Sequence, residues 1–204
     1  MTIINTLTPE IIRLIKQEKF ILTDADGVLL NWEWSFKKWM MKQGFQEFST
    51  NSYDMHVRYQ MERPRVKDLI REFNECAWIG WIPALPGARQ GVQIFAEQGY
   101  RFGVVTSLSN DLYASKLRAM NLHNLFGDIF EFVQCIDTGA DKDQALMPYK
   151  DSGCIWVEDK PENAKLGADL GLNTYLVRHE HNANFDYEGV TKIDNWVQLA
   201  NRVV

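Results

Sequence analysis

The chain has 204 residues, 46% hydrophobic and 24% charged, the balance of one sizeable soluble core with or without a small appended lobe. Its net charge of −5 argues against broad attraction to nucleic acid polymers or anionic membranes, and its apolar runs are too short to span a bilayer. A small anionic ligand would therefore need a local positive site or a bound cation.

Met1 to Pro9 lacks the basic-then-apolar pattern of a secretory signal. The cysteines Cys76, Cys135 and Cys154 are odd in number and scattered, with no CxxC pair, so reduced thiols in a cytoplasmic protein are expected. A first helix is expected from Thr8 to about Lys19, with Thr8 as cap, Pro9 at its first position and Ile11, Ile12, Leu14 and Ile15 on its apolar face. Phe20 to Thr23 then reads as a buried strand that stops at Asp24. Two or three helical pieces follow, Trp34 to Lys42 and Pro64 to Cys76 among them, with no convincing buried strand. We read residues 32–81 as a small helical lobe inserted into an α/β core made of 1–31 and 82–204, with Pro83 and Pro86-Gly87 marking the return.

From Tyr100 onward short strands alternate with helices. The predicted order is a strand at Arg101–Thr106, a helix at Asn110–Met120 and a strand at Ile129–Cys135. A short helix at Asp141–Tyr149 and a strand at Cys154–Val157 come next. A helix at Pro161–Leu170, with Gly171 as its terminating glycine, and a strand at Thr174–Val177 complete the alternation. An amphipathic helix from Asp194 carries Trp196, Val197 and Leu199. Such alternation predicts an α/β, Rossmann-like, doubly wound parallel sheet.

Ligands of open parallel sheets collect at the carboxyl ends of the strands. Here one predicted strand runs into Asp24-Ala25-Asp26-Gly27-Val28-Leu29, another ends in Thr106-Ser107, and a third in Glu158-Asp159, with Asn163 one turn into the next helix. Lys142 precedes the third, and Lys150 is the other candidate for the same place. Carboxylates crowd together only at a cost, since two unit charges 4 Å apart repel by about 4 kcal/mol at an effective dielectric of about 20. A divalent cation relieves that repulsion, and Mg²⁺ with its preference for carboxylate, water and phosphate oxygens suits the set. Thr106, Ser107 and Lys142 are suited to phosphate oxygens. Asp24 is placed to attack phosphorus, and Asp26 to pass a proton to and from the leaving oxygen. An EF-hand reading fails because Gly27 comes too early. His179 and His181 lack a third ligand at zinc spacing.

In this order the set resembles the haloacid dehalogenase superfamily. That family begins with DxDG(T/V) after an apolar strand, as in Asp24 to Val28. A strand ending in Thr or Ser follows, as at Thr106, then a single Lys, and last an acidic pair after a strand, as at Glu158-Asp159. The resemblance covers Phe20 to Val177 and puts the lobe where the family has a helical cap. It implies Mg²⁺ held by Asp24, the backbone carbonyl of Asp26, and Asp159, with Glu158 in support, and hydrolysis of a phosphomonoester through an aspartyl-phosphate.

Within the superfamily the local sequence is similar to the 5′(3′)-deoxyribonucleotidases. The shared features are DxDGVL followed by an aromatic (Trp32), Thr106-Ser107, Glu158-Asp159-Lys160, His181-Asn182, Asn195-Trp196, and Ile82 to Gly87 at the return from the cap. This implies a nucleoside monophosphate as substrate, with Trp32 stacking on the base. A sugar phosphate or phosphoglycolate-like metabolite is the alternative. A catalytically silent module that binds Mg²⁺, phosphate or a partner is the alternative of another class. Beyond the small substrate we expect neither nucleic acid nor membrane as partner; a homodimer is left open.

Overall fold

The computed structural model describes residues 2–3, 8–9, 13, 19–49 and 54–204. The helix expected from Thr8 to Lys19 lies for the most part outside the described residues. Seven strands form one sheet, all parallel: β1 (Thr2–Ile3), β2 (Phe20–Thr23), β3 (Arg101–Ser107), β4 (Phe130–Ile136), β5 (Ile155–Glu158), β6 (Asn173–Val177) and β7 (Val190–Ile193), in the spatial order β1-β4-β3-β2-β5-β6-β7. This is the α/β, Rossmann-like class that the alternating pattern predicts.

The two faces of the sheet can be read off successive residues. Ile21, Val104, Val133 and Val157 belong to one buried cluster, while Phe20, Leu22, Val105, Phe132 and Trp156 belong to another. Side chains alternate faces along a strand, so both faces are covered. On the first face lie α4 (Ala88–Glu97), α5 (Leu112–Phe126) and α8 (Trp196–Val203), represented by Phe95, Leu122 and Leu199. On the second lie α6 (Asp143–Leu146), which runs on into a 3₁₀ turn at Met147–Tyr149, and the end of α7 (Pro161–Asp169), represented by Leu146, Tyr149 and Leu170.

Between β2 and α4 the chain forms α1 (Trp32–Lys42), α2 (Met55–Arg58), α3 (Arg63–Glu75) and a 3₁₀ turn at Ala77–Trp81, with no strand among the described residues. Phe36, Trp39, Tyr59 and Phe73 pack ring on ring there, and their cluster is continuous with the first-face core. Arg58 is buried between Glu33 and Glu47, with Lys37 joining Glu47 from outside, a set that pins α1 to α2.

Several elements differ from the sequence reading. Helix α5 starts at Leu112 because Asp111 is its cap, accepting from the Ala114 N–H at 2.7 Å, and it runs on to Phe126, where Gly127 ends it at φ +78°. Helix α4 and strands β1 and β7 are additional to the elements expected. α4 packs against α8 so closely that a β-carbon on Gly91 would lie 2.3 Å from the Trp196 backbone. α8 begins at Trp196, capped by Asn195. No described helix is long and apolar enough to cross a membrane.

Candidate active site

The strand order reverses around β2. From β2 the chain builds outward through β3 to β4, then crosses to the other side for β5, β6 and β7. Such a reversal opens a crevice beyond the carboxyl ends of the central strands. Asp24 leaves β2 there, with its backbone N–H still bonded to the Val157 carbonyl of β5 at 2.9 Å. Thr106 and Ser107 end β3, and Glu158-Asp159 end β5.

Asp24, Glu158 and Asp159 bring carboxylate oxygens within 4.8 Å of one another, the one group of three potential metal ligands among the described residues. Lys142 joins them, its ammonium 2.7 Å from Asp24 Oδ2 and 2.8 Å from Glu158 Oε2, and it is fully buried. Lys150, the other candidate, is exposed. The loop carrying Lys142 is tied back to the end of β3. The Ser107 hydroxyl donates to the Ala140 carbonyl at 3.0 Å and the Thr138 hydroxyl to the Leu108 carbonyl at 2.6 Å. Ser107 thus braces the lysine loop in this structure.

The acids are not equivalent. Glu158 is saturated, accepting from Lys142, from the Asn163 amide, and from the backbone N–H groups of Asp159 and Lys160. Burial alone would raise its pKa, but the Lys142 ammonium outweighs that and the group is held below its ordinary value. Asp24 and Asp159 are left in excess. Burial, with Glu158 nearby and only partial relief from Lys142, pushes Asp24 up to about 7. Burial and the same neighbouring carboxylates raise Asp159 well above its ordinary value. Lys142 is pushed upward, because its two carboxylates overcome the cost of burying its charge.

One lysine for three buried carboxylates leaves two negative charges without a counter-charge, so these residues fit a bound divalent cation. Two further observations agree. Gly27 sits in the left-handed region at φ +74°, and a β-carbon there would lie 2.2 Å from Asp159 Oδ2, so only glycine keeps that carboxylate free to turn. The Thr106 hydroxyl is buried without a hydrogen-bond partner, a polar atom waiting for an acceptor or donor.

Asp26 points elsewhere. Its two oxygens accept from Nη1 and Nη2 of Arg118 at 2.6 and 2.9 Å. Around it the loop curls tightly: the Leu30 N–H reaches the Ala25 carbonyl and the Gly27 N–H the Leu30 carbonyl, which leaves the Asp26 carbonyl out of that bridge.

The motifs late in the chain brace this loop. His179 Nε2 lies 2.7 Å from the Gly27 carbonyl, and the Trp196 indole N–H donates to the Val28 carbonyl at 2.9 Å. The Asn182 amide donates to the Asp159 and Val177 carbonyls, and His181 Nε2 lies 3.2 Å from the Asp159 carbonyl. The rings of His179 and His181 are stacked, with centroids 5.4 Å apart. Burial lowers the pKa of His181. In the sequence His179 and His181 stand out as a pair without a third zinc ligand, and His181, Asn182 and Trp196 as short matches. Arg118 gave no signal, being one basic residue on a helix of mixed composition.

Trp32 stands at the entry to α1. Its ring stacks on Phe36 with centroids 4.7 Å apart and meets Phe73 edge-on, and its indole N–H donates to the Asn74 side-chain oxygen Oδ1 at 2.9 Å. One of its faces is therefore occupied by the lobe.

No family model and no curated protein sequence matches the chain. Solved structures do. A crystal structure of CbbY from Rhodobacter sphaeroides in complex with phosphate is 17% identical with a TM-score of 0.59, covering 89% of this chain and 96% of that one. A D,D-heptose 1,7-bisphosphate phosphatase from B. bronchiseptica, complexed with magnesium and phosphate, is 14% identical with a TM-score of 0.55, covering 90% and 97%. A putative haloacid dehalogenase-like hydrolase from Bacteroides fragilis is 13% identical with a TM-score of 0.61, covering 90% and 100%. At these identities the likeness is one of fold.

Proposed function

We infer that the chain is a Mg²⁺-dependent phosphomonoester hydrolase of the haloacid dehalogenase superfamily. The observation that carries this reading is the buried set Asp24, Asp159, Glu158 and Lys142 at the strand-order reversal. The similar structures supply analogy, since two of them were solved with phosphate and one of those with magnesium as well.

Asp24, Asp159 and the Asp26 carbonyl would hold the cation, with Glu158 fixing Lys142 beside them. When bound, the cation would offset negative charge on the carboxylates and on the phosphoryl oxygens. An Asp24 oxygen forms a bond to phosphorus as the ester P–O bond breaks, and the departing oxygen takes a proton from Asp26. A water then gives a proton to Asp26 while its oxygen bonds to phosphorus and the Asp24–phosphorus bond breaks. The net reaction is ester plus water to alcohol plus phosphate. Lys142 and the Thr106 hydroxyl would bind nonbridging oxygens. The helices of residues 32–81 act as a cap that reads the alcohol portion of the substrate.

For the substrate we favour a small sugar-phosphate-like monoester, because Trp32 already stacks on Phe36 and spends its N–H on Asn74. The sugar bisphosphate named for one similar structure points the same way. A nucleoside monophosphate is the second reading; it rests on the half-buried Trp32 having one ring face that Phe36 does not cover. The test is a panel of sugar phosphates, nucleotides and p-nitrophenyl phosphate, each assayed with Mg²⁺ and with EDTA. Magnesium-dependent phosphate release is expected, with sugar phosphates ahead. No release from any ester would refute the enzyme reading, and turnover confined to nucleotides would restore the nucleotidase.

A further inference from the structure

Arg118 is the most completely buried cation of the described residues at 0% exposure, and it lies 92 positions along the chain from the carboxylate it grips. Taking a guanidinium out of water is costly and is recovered only through close pairing. Its pairing is with Asp26 alone, two N–H groups to two oxygens at 2.6 and 2.9 Å, while its buried Nε has no partner. A residue kept for packing would be cheaper as leucine or methionine. What the guanidinium adds is a planar fork that fixes both the place and the rotation of one carboxylate.

That carboxylate is two residues beyond Asp24, and its side chain is 21% exposed, so it has one open edge. Each carboxylate oxygen has two lone pairs. With one on each oxygen engaged by Arg118, the remaining pairs face away from the guanidinium. The pair is built from two elements that both lead out of the crevice: the loop after β2 and the helix α5 after β3. Nothing else among the described hydrogen bonds orients the Asp26 carboxylate.

We propose that Arg118 is a positioning residue for proton transfer, acting through Asp26 on the leaving-group oxygen. This rests on the phosphomonoesterase reading above. The proton balance is the one given there: Asp26 delivers its proton as the P–O bond breaks and regains one from the attacking water. Arg118 neither gives nor takes a proton. It holds the carboxylate where the proton must be handed over.

Leaving-group chemistry separates this role from a structural one. A nitrophenolate departs without help, whereas an alkoxide needs its proton during bond breaking. The experiment compares Arg118→Met with the wild-type full chain on p-nitrophenyl phosphate and on glycerol 2-phosphate, with Mg²⁺ present. We expect kcat/KM, which covers the steps up to departure of the leaving group, to fall about 100-fold or more on glycerol 2-phosphate, the scale of general acid catalysis, and less than about 5-fold on p-nitrophenyl phosphate, while kcat falls on both esters where attack by water, the step they share, limits turnover. Asp26→Asn should reproduce the same selective loss in kcat/KM, and adding Arg118→Met to it should change little more. Equal losses of kcat/KM on the two esters would overturn the proposal. Should Arg118→Met fail to fold, Arg118→Lys keeps a charge without the fork and is judged by the same ratio. A wild-type chain inactive on both esters refutes the underlying reading instead, a result distinct from active wild type with unselective variants.

Discussion

Gly27 lies so close beneath Asp159 that a β-carbon on it would stand 2.2 Å from the Asp159 Oδ2. Two causes coincide at this residue, since its φ of +74° already disfavours any side chain. Gly27→Ala is expected to cost about 1–2 kcal/mol of backbone strain and to push the Asp159 carboxylate out of the acidic set. Activity should then fall further than stability, and the stabilisation by Mg²⁺ in a thermal melt should shrink. A variant that melts lower yet keeps the full Mg²⁺ shift would show that the close contact matters only to the loop.

Asp24 gives a signed pH dependence. Its pKa, ordinarily 3.8, is pushed up to about 7 in the fold, so the folded protein binds that proton more tightly than the unfolded chain. The stabilisation is complete below the ordinary value and is lost as pH rises through about 7. Three pKa units correspond to about 4 kcal/mol as an upper limit for this group in the absence of metal. Asp24→Asn cannot ionise, so in EDTA it should melt higher than wild type near pH 8 and close to it near pH 4 (both values approximate). The same variant should lack turnover. Parallel melting curves against pH for the two proteins would contradict the charge argument, and retained turnover would remove Asp24 as nucleophile.

The cation should compete with those protons. Asp24 and Asp159 both bind protons more tightly than usual, for the shared reason of burial beside other carboxylates. A divalent ion needs them ionised, so its binding releases protons and strengthens with pH. A few millimolar Mg²⁺ should therefore raise the melting temperature more at about pH 8 than at about pH 5. Asp159→Asn should abolish the shift at either pH. A shift that is the same size at both would mean that the ion binds elsewhere.

The sheet was legible because β2, β3 and β5 are short apolar runs that end in chemistry. The same runs carried Asp24, Thr106 and Glu158-Asp159 to one crevice. Helix α4 carried a readable pattern, with Ala88, Gly91, Val92 and Phe95 buried at i, i+3, i+4 and i+7, but it starts directly behind Pro86-Gly87, a punctuation that reads as loop. β7 was missed because its four residues show no period-two alternation: Thr191 and Ile193 share a face, yet one is exposed and the other buried. Lys142 is the better placed of the two lysines in the sequence, and its burial and its contacts to Asp24 and Glu158, at 2.7 and 2.8 Å, set it apart from the exposed Lys150. Arg118 could not be found at all, since one helical arginine looks like any solvated one until the fold turns it inward.

Trp196 offers a last separation of stability from function. Its indole is fully buried in the first-face core, and its N–H reaches across to the Val28 carbonyl at 2.9 Å, on the loop that carries Asp24 and Asp26. Trp196→Phe keeps an aromatic ring in the core but deletes the donor, leaving a buried carbonyl unpaired. The stability cost is expected at about 1–3 kcal/mol, including the lost contacts of the larger ring. If the bond serves chiefly to hold the loop in register with β5, kcat should fall by more than the fraction of unfolded protein explains, with the pH dependence in EDTA retained because the acidic set itself is intact. Full kcat in a protein that merely melts lower would reduce Trp196 to a core residue, and would leave the loop to its other anchors, the His179 contact to Gly27 and the Arg118 fork on Asp26 among them.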